Sequence, residues 1–155
     1  MVRFTKSGGE AMSVAVRIAR SFTGKDKVMF CGYHGWHDWY ISANIENNSK
    51  LEKHLLPNVS SRGIPKALKN TSIPFEFNNP KDFELKFKKN IKNLACIILE
   101  PAKSQHPSNK FLGIIKKLSS KYKVPLIIDE ITLGWHFSLG GYHKFRNLEP
   151  DIAVF

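Results

Sequence analysis

Ile127-Ile128-Asp129-Glu130 is the stretch whose reading decides the fold. With Leu126 before it, an apolar run leads without alternation into two adjacent carboxylates. A strand covered on one face alternates apolar with polar residues, whereas a strand covered on both faces reads as a continuous apolar run. The second pattern recurs in Val28-Met29-Phe30-Cys31, closed by Gly32, in Leu94 to Leu99, closed by Glu100-Pro101, and in Ile152 to Phe155. Val2 to Thr5 and Ile73 to Phe77 are shorter strand candidates. Between the runs lie helical patterns. After Ser7-Gly8-Gly9, the residues Ala11, Val14, Ala15, Ile18 and Phe22 recur at helical spacing, and Thr23-Gly24 supplies a left-handed stop. Asn79-Pro80 opens a helix with a cap residue and a proline at the first position, and Phe83, Phe87 and Ile91 share one face of it. Phe111, Ile114, Ile115, Leu118 and Tyr122 form the apolar side of a further, lysine-bearing helix. Strands without alternation, separated by amphipathic helices, predict an α/β fold: a mostly parallel sheet covered by helices and built from right-handed βαβ units.

Composition narrows what such a chain does. At 155 residues and 42% hydrophobic content it can bury a core of single-domain size, and no internal repeat, low-complexity tract or interdomain linker divides it. Residues 44 to 70 are polar, proline-containing and aperiodic, which predicts a long excursion and not a packed layer. No apolar stretch approaches the roughly 20 residues that cross a bilayer, and Met1 to Lys6 lacks the apolar run of a signal peptide. A cytoplasmic location without a membrane partner is expected. Cys31 and Cys96 sit in separate strands without CxxC spacing and read as reduced core residues. The net charge of +11 raises nucleic-acid binding as an option. Its lysines, however, are spread over residues 81 to 92 and 110 to 123 on helices whose other face is apolar, with few aromatics between them. A solvated helix face accounts for them, and no nucleic-acid partner is expected.

Three segments can carry chemistry. Ser7-Gly8-Gly9-Glu10-Ala11 is either an ordinary helix start or a phosphate site, because a glycine turn into a helix offers free N–H groups and the positive end of the dipole. Cys31-Gly32-Tyr33-His34-Gly35-Trp36-His37-Asp38 follows a buried strand, so Tyr33 and His34 emerge at the carboxyl edge of the sheet, where an aromatic can stack on a planar ring. His34 and His37 with Asp38 have no zinc spacing, so no metal is expected, and Trp36, Trp39 and Tyr40 read as packing residues. Asp129 is either one of two solvated acids at a strand end or a carboxylate that keeps a pyridine nitrogen protonated and so makes the ring an electron sink. Glu100 ends the neighbouring run, so two acids can converge at one edge. A phosphate at the glycine turn and a cationic ring nitrogen at the acid together describe pyridoxal 5'-phosphate.

In this order the motifs resemble those of the class III aminotransferases, fold type I enzymes that use pyridoxal phosphate, and within them the glutamate-1-semialdehyde aminotransferase-like branch. Val2-Arg3-Phe4-Thr5-Lys6-Ser7-Gly8-Gly9-Glu10-Ala11 is similar to the family's phosphate turn, Tyr33-His34-Gly35 to its ring-stacking segment, Leu99-Glu100-Pro101 to its strand-end acid and Asp129-Glu130-Ile131 to its pyridine-nitrogen segment. Glu149-Pro150-Asp151-Ile152-Ala153-Val154-Phe155 resembles the strand that leads to the lysine. The resemblance implies that Gly8 and Gly9 contact the phosphate, with Ser7 in support, that Tyr33 stacks on the ring, that Asp129 pairs with its nitrogen and that Ile131 packs on the other face, with His34 and Glu100 behind them. It also implies a small-molecule amino donor, a carbonyl acceptor of the glutamate-1-semialdehyde or sugar type, and a homodimeric parent enzyme. An aminomutase or racemase of the same fold type shares these motifs, and a non-catalytic basic module binding nucleic acid or a protein is the alternative from outside enzymology.

The chain departs from the family pattern at three places. Gly9 stands where the family usually has Thr or Ser, which removes a hydroxyl from the phosphate and leaves the backbone donor. Gly134-Trp135-His136 stands where family members commonly carry arginine. The pattern Pro-Asp-x-x-x-x-Gly/Ala-Lys would place the Schiff-base lysine on the second residue past Phe155, so residues 1 to 155 read as part of a cofactor-binding large domain, without the N-terminal segment, the lysine and the C-terminal small domain. Little stable cofactor binding and no transamination are expected of this polypeptide alone.

Overall fold

The computed structural model describes residues 1–54, 57–102 and 105–155. Among the described residues five strands, β1 (Lys27–Cys31), β2 (Ser72–Pro74), β3 (Leu94–Leu99), β4 (Leu126–Asp129) and β5 (Ile152–Val154), form one sheet in the order β2-β1-β3-β4-β5. Every pairing is parallel. Helices α1 (Gly8–Thr23), α2 (Asp38–Ile41), α3 (Pro80–Asn90), α4 (Asn109–Tyr122) and α5 (Tyr142–Phe145) connect them.

The continuous apolar runs follow from helices on both faces. Val28, Phe30, Cys96, Ile98 and Ile127 pack with Met12, Ala15, Val16 and Ala19 of α1. Met29, Ile97, Leu99 and Ile128 point the other way, onto the phenylalanines of α3 and α4. Side chains alternate across a strand, so neighbours in one run serve opposite cores. Local signals fix the helix ends. Ser7 caps α1 by accepting from Glu10 N, and Gly24, at φ +65°, closes it by donating to Arg20 O. Asn79, with Pro80 at the first turn, starts α3, and Ser108 starts α4.

Several expectations are corrected. Val2 to Thr5 is exposed and forms no strand. The second strand is shorter than Ile73 to Phe77 and spans Ser72–Pro74, with a proline at its end that cannot donate to a ladder. On α1 the inward face is Met12, Ala15, Val16 and Ala19, whereas Ile18 and Phe22 are 43% and 81% exposed. Apolar residues surround most of this helix, and the face with two alanines can approach the sheet closely. Tyr122 is likewise exposed on α4. The excursion after residue 44 does pack in part: Leu51 and His54 are buried, and Val59 and Ile64 lean on the α1-side core. Residues 55 and 56 of that excursion lie outside the described residues. No described helix is long and apolar enough to cross a membrane.

The strand order reverses between β1 and β3, since the chain runs from β1 outward to β2 and returns on β1's other side. In open parallel sheets the crevice beyond the carboxyl ends of the strands at such a point is where ligands bind.

Candidate functional site

Register sets the site. Cys31 pairs with Leu99, and Leu99 with Ile128, so the residues one step further along, Gly32, Glu100 and Asp129, stand level across three adjacent strands. Cys31, Leu99 and Ile128 all face the α3/α4 core. Alternation therefore turns Gly32, Glu100 and Asp129 toward the α1 side, and turns Glu130 to the opposite one.

Asp129 is 4% and His34 1% exposed, and Asp129 Oδ2 accepts from His34 Nδ1 at 2.7 Å. A carboxylate only accepts, so His34 Nδ1 carries the hydrogen of this bond. Asp129 Oδ1 accepts from Ile131 N at 3.2 Å. Among the described residues these bonds use two of the roughly four lone-pair sites of the carboxylate, which leaves acceptor capacity for a cationic N–H. His34 Nε2 is buried without a hydrogen-bond partner among the described residues. His37, the other histidine of the segment, is exposed.

The glycine turn meets this cluster directly. A Cβ on Gly8 would lie 2.7 Å from Ile131 Cδ1, and one on Gly35 would lie 2.7 Å from Gly9 Cα. The first ladder bond of α1 runs from Ala11 N to Ser7 O, and Ser7 Oγ takes Glu10 N–H. The Gly8 and Gly9 N–H groups thus belong to the unladdered first turn of a 16-residue helix and carry its positive dipole end. The residues present suit a group with an anion at one end and a cation at the other.

Gly8, Gly9, His34, Asp129 and Ile131 thus come together, Ser7 caps the helix that carries the two glycines, and Tyr33, half-buried, leaves the same turn as His34. Glu100 is buried and its Oε2 accepts from Tyr33 N at 3.0 Å. Neither strand-end acid beyond Ile128 is solvated. Glu130, 1% exposed, accepts from Tyr142 N at 2.9 Å, His143 N at 2.7 Å and His143 Nδ1 at 2.8 Å, closing residues 130 to 143 into a loop.

Sequence reasoning assigned no site role to Glu130, Gly35 or His54 and read Tyr40 only as a packing residue. Gly35 holds φ +97° beside Gly9, and a glycine in the turn after a buried strand was the available signal. Tyr40 does pack, edge-on to Tyr33 and against Phe30. Its hydroxyl also donates to Gly32 O at 2.8 Å. Burial, with the Glu100 charge next, raises the Tyr40 pKa and keeps the hydroxyl protonated. No periodicity marked His54.

A family model described as Aminotransferase class-III matches residues 1–155. The 3-aminobutyryl-CoA aminotransferase of Cloacimonas acidaminovorans is 32% identical over 161 residues, covering 100% of this chain and 35% of that protein. The glutamate-1-semialdehyde 2,1-aminomutase of Syntrophus aciditrophicus is 35% identical over 159 residues, covering 99% and 36%. Among solved structures, a transaminase with PLP bound superposes with a TM-score of 0.81 at 24% identity, over 99% of this chain and 36% of that one. A glutamate-1-semialdehyde aminomutase from Pseudomonas aeruginosa PAO1 in complex with PMP gives 0.71 at 26% identity, over 94% and 32%. The chain spans about a third of the length of these relatives.

Proposed function

We propose a function from one premise: this chain belongs to the class-III aminotransferase family. It forms the cofactor-binding part of an enzyme that moves an amino group between a small-molecule donor and a carbonyl acceptor, with pyridoxal phosphate as cofactor. The two relatives bear names of an aminotransferase and an aminomutase, and both names describe relocation of an amino group. A match across residues 1–155 favours this reading over a basic binding module.

The observation that carries it is the meeting of three segments distant in sequence: Gly8 against Ile131, Gly9 against Gly35, and His34 hydrogen-bonded to Asp129. Bound pyridoxal phosphate supplies an electron sink for the substrate carbon. The chain's own residues then have distinct tasks. Gly8 and Gly9 N–H groups hold the phosphate at the helix start, and Asp129 keeps the ring nitrogen protonated. His34 Nδ1–H holds the Asp129 carboxylate in orientation. Tyr33 and Ile131 cover the ring and exclude water from it.

Pyridoxamine phosphate is the probe of choice, because it lacks the aldehyde that condenses with surface lysines. Titrated into the isotopically labelled chain, it is expected to shift the amides of Gly8, Gly9, Tyr33 and Ile131 even when binding is weak. Asp129→Asn removes a charge-assisted bond and is expected to weaken the effect about tenfold or more. Shifts confined to the lysine-rich faces of α3 and α4, or an unchanged titration in Asp129→Asn, would overturn the assignment.

A further inference from the structure

The turn that carries Tyr33 is held in an unusual way. Its last backbone rung is Glu100 N to Cys31 O at 2.9 Å. Beyond it, three successive backbone groups are satisfied by side chains from three other parts of the chain. Gly32 N–H donates to His54 Nδ1 at 3.2 Å. Gly32 C=O accepts from Tyr40 Oη at 2.8 Å. Tyr33 N–H donates to Glu100 Oε2 at 3.0 Å. The Tyr40 hydroxyl also lies 3.3 Å from His54 O, so it ties the excursion and the turn to one proton. Gly32 has φ +123°, and a Cβ there would collide with Glu100 Cβ, so only glycine fits at this turn.

We infer that His54, carried in by the aperiodic segment after residue 44, is a positioning residue that sets the Gly32 peptide and through it the pose of Tyr33. His54 is buried, with its ring edge-on to Phe30 at 5.5 Å, so the ring is fixed by packing before it accepts the bond. Acceptance at Nδ1 requires a lone pair there, which selects the tautomer with the proton on Nε2. A buried amide N–H without an acceptor is strongly disfavoured, so the turn keeps this geometry only while His54 is in place. The segment thus has a task that explains its length: it brings an acceptor to a strand end where the sheet offers none. As far as it concerns Tyr33 as a ring-stacking group, the inference rests on the cofactor reading; the geometry of the turn does not.

Two readouts separate these layers. Hydrogen exchange of the Gly32 amide reads the clamp alone, and pyridoxamine phosphate titration reads its consequence. His54→Leu removes the acceptor and is expected to speed Gly32 exchange roughly tenfold while amides of β3 keep their rates. His54→Asn, whose Oδ1 stands where Nδ1 stood, is expected to restore slow exchange. Should His54→Leu fail to fold, His54→Phe keeps an aromatic ring against Phe30 and removes the acceptor, with the same expected exposure of Gly32. Wild-type exchange at Gly32 in His54→Leu or His54→Phe, or identical behaviour of the Leu and Asn variants, overturns the clamp. Faster exchange with an unchanged titration overturns the positioning role, and an Asp129→Asn variant that still weakens the probe shows that the cofactor reading survives it.

Discussion

Gly35→Ala tests whether the glycine turn and the Tyr33 segment meet backbone to backbone. Gly35 has φ +97°, and its added Cβ would sit 2.7 Å from Gly9 Cα, a distance that real Cβ contacts essentially never show. The obstacle is main chain, which cannot rotate aside as a side chain does. Two contributions add. A left-handed or more extreme positive φ costs an L-residue about 1–2 kcal/mol, and forcing a methyl into a packed contact costs about 1–3 kcal/mol. The sum is roughly 2–5 kcal/mol, a large part of the 5–15 kcal/mol typical of a domain. Gly24 supplies the control, since it has φ +65° with nothing within 4 Å of its Cβ position. Gly24→Ala therefore carries only the backbone contribution. Urea denaturation of both variants, compared at equal m-value, isolates the close approach as their difference of about 1–3 kcal/mol, or on the order of 1 M in midpoint. Any relief of the clash must move Gly9, so the Gly35→Ala chain is also expected to bind pyridoxamine phosphate more weakly. Equal midpoints for the two variants would refute the contact.

Other consequences are open to similar measurement. Glu130→Ala leaves Tyr142 N, His143 N and His143 Nδ1 without their acceptor and is expected to cost at least about 2 kcal/mol in denaturant; a loss within 0.5 kcal/mol contradicts the buried loop closure. Phe87→Ala should cost about 3–5 kcal/mol and Leu85→Ala, two residues away but exposed, at most about 0.5 kcal/mol; similar losses would place the α3 face wrongly. Burial, opposed by the Arg20 charge, pushes the Cys96 thiol from 9.0 up to about 12. The unfolded chain then loses this proton first, so stability is whole below pH 9 and falls as pH rises toward 12, by about 1.4 kcal/mol per unit. The raised Tyr40 hydroxyl adds a second loss above pH 10. In Cys96→Ala the slope between pH 9 and 10 should flatten; an unchanged alkaline profile would exclude the thiol as its source.

The fold was legible because each central strand is apolar throughout. Only a sheet covered twice demands Leu94 to Leu99 without a break, and the alternation of Val28 and Phe30 against Met29 and Cys31 between two cores is the structural counterpart. The face of α1 was not legible. Val14, Ile18 and Phe22 outweigh Ala15 and Ala19 in hydrophobicity, but close packing on a sheet selects small side chains. The end of α4 shows a similar limit, since Lys123 takes the left-handed cap at φ +52° that glycine usually fills. Of the candidate site, Gly8, Gly9, His34 and Asp129 could be named because motif and strand end coincide. His54 could not, because its bond to Gly32 joins an aperiodic segment to a turn, and neither has a period to read.

The two edges of the sheet treat acidic residues differently, and this difference bears on function more than the net charge of +11 does. Asp26, just before β1, and Asp151, just before β5, stand at the amino edge and are exposed. Asp151 spends a carboxylate oxygen on Leu126 N, an ordinary structural tie at 2.8 Å. At the carboxyl edge Glu100, Asp129 and Glu130 are all buried. Burying a carboxylate costs several kcal/mol before its partners compensate, and apolar residues of similar volume often serve stability as well or better. Two of these acids have structural employment that matches their expense: Glu130 closes a loop with three donors, and Glu100 holds Tyr33 N–H. Asp129 is different. Its partners among the described residues are the His34 imidazole of the turn after β1 and one backbone N–H of the following turn, and they fix its orientation while leaving carboxylate lone pairs unused. A buried carboxylate so oriented, level with Gly32 and beside the unladdered N–H groups of α1, fits the cationic ring nitrogen that the proposed function would bring to it.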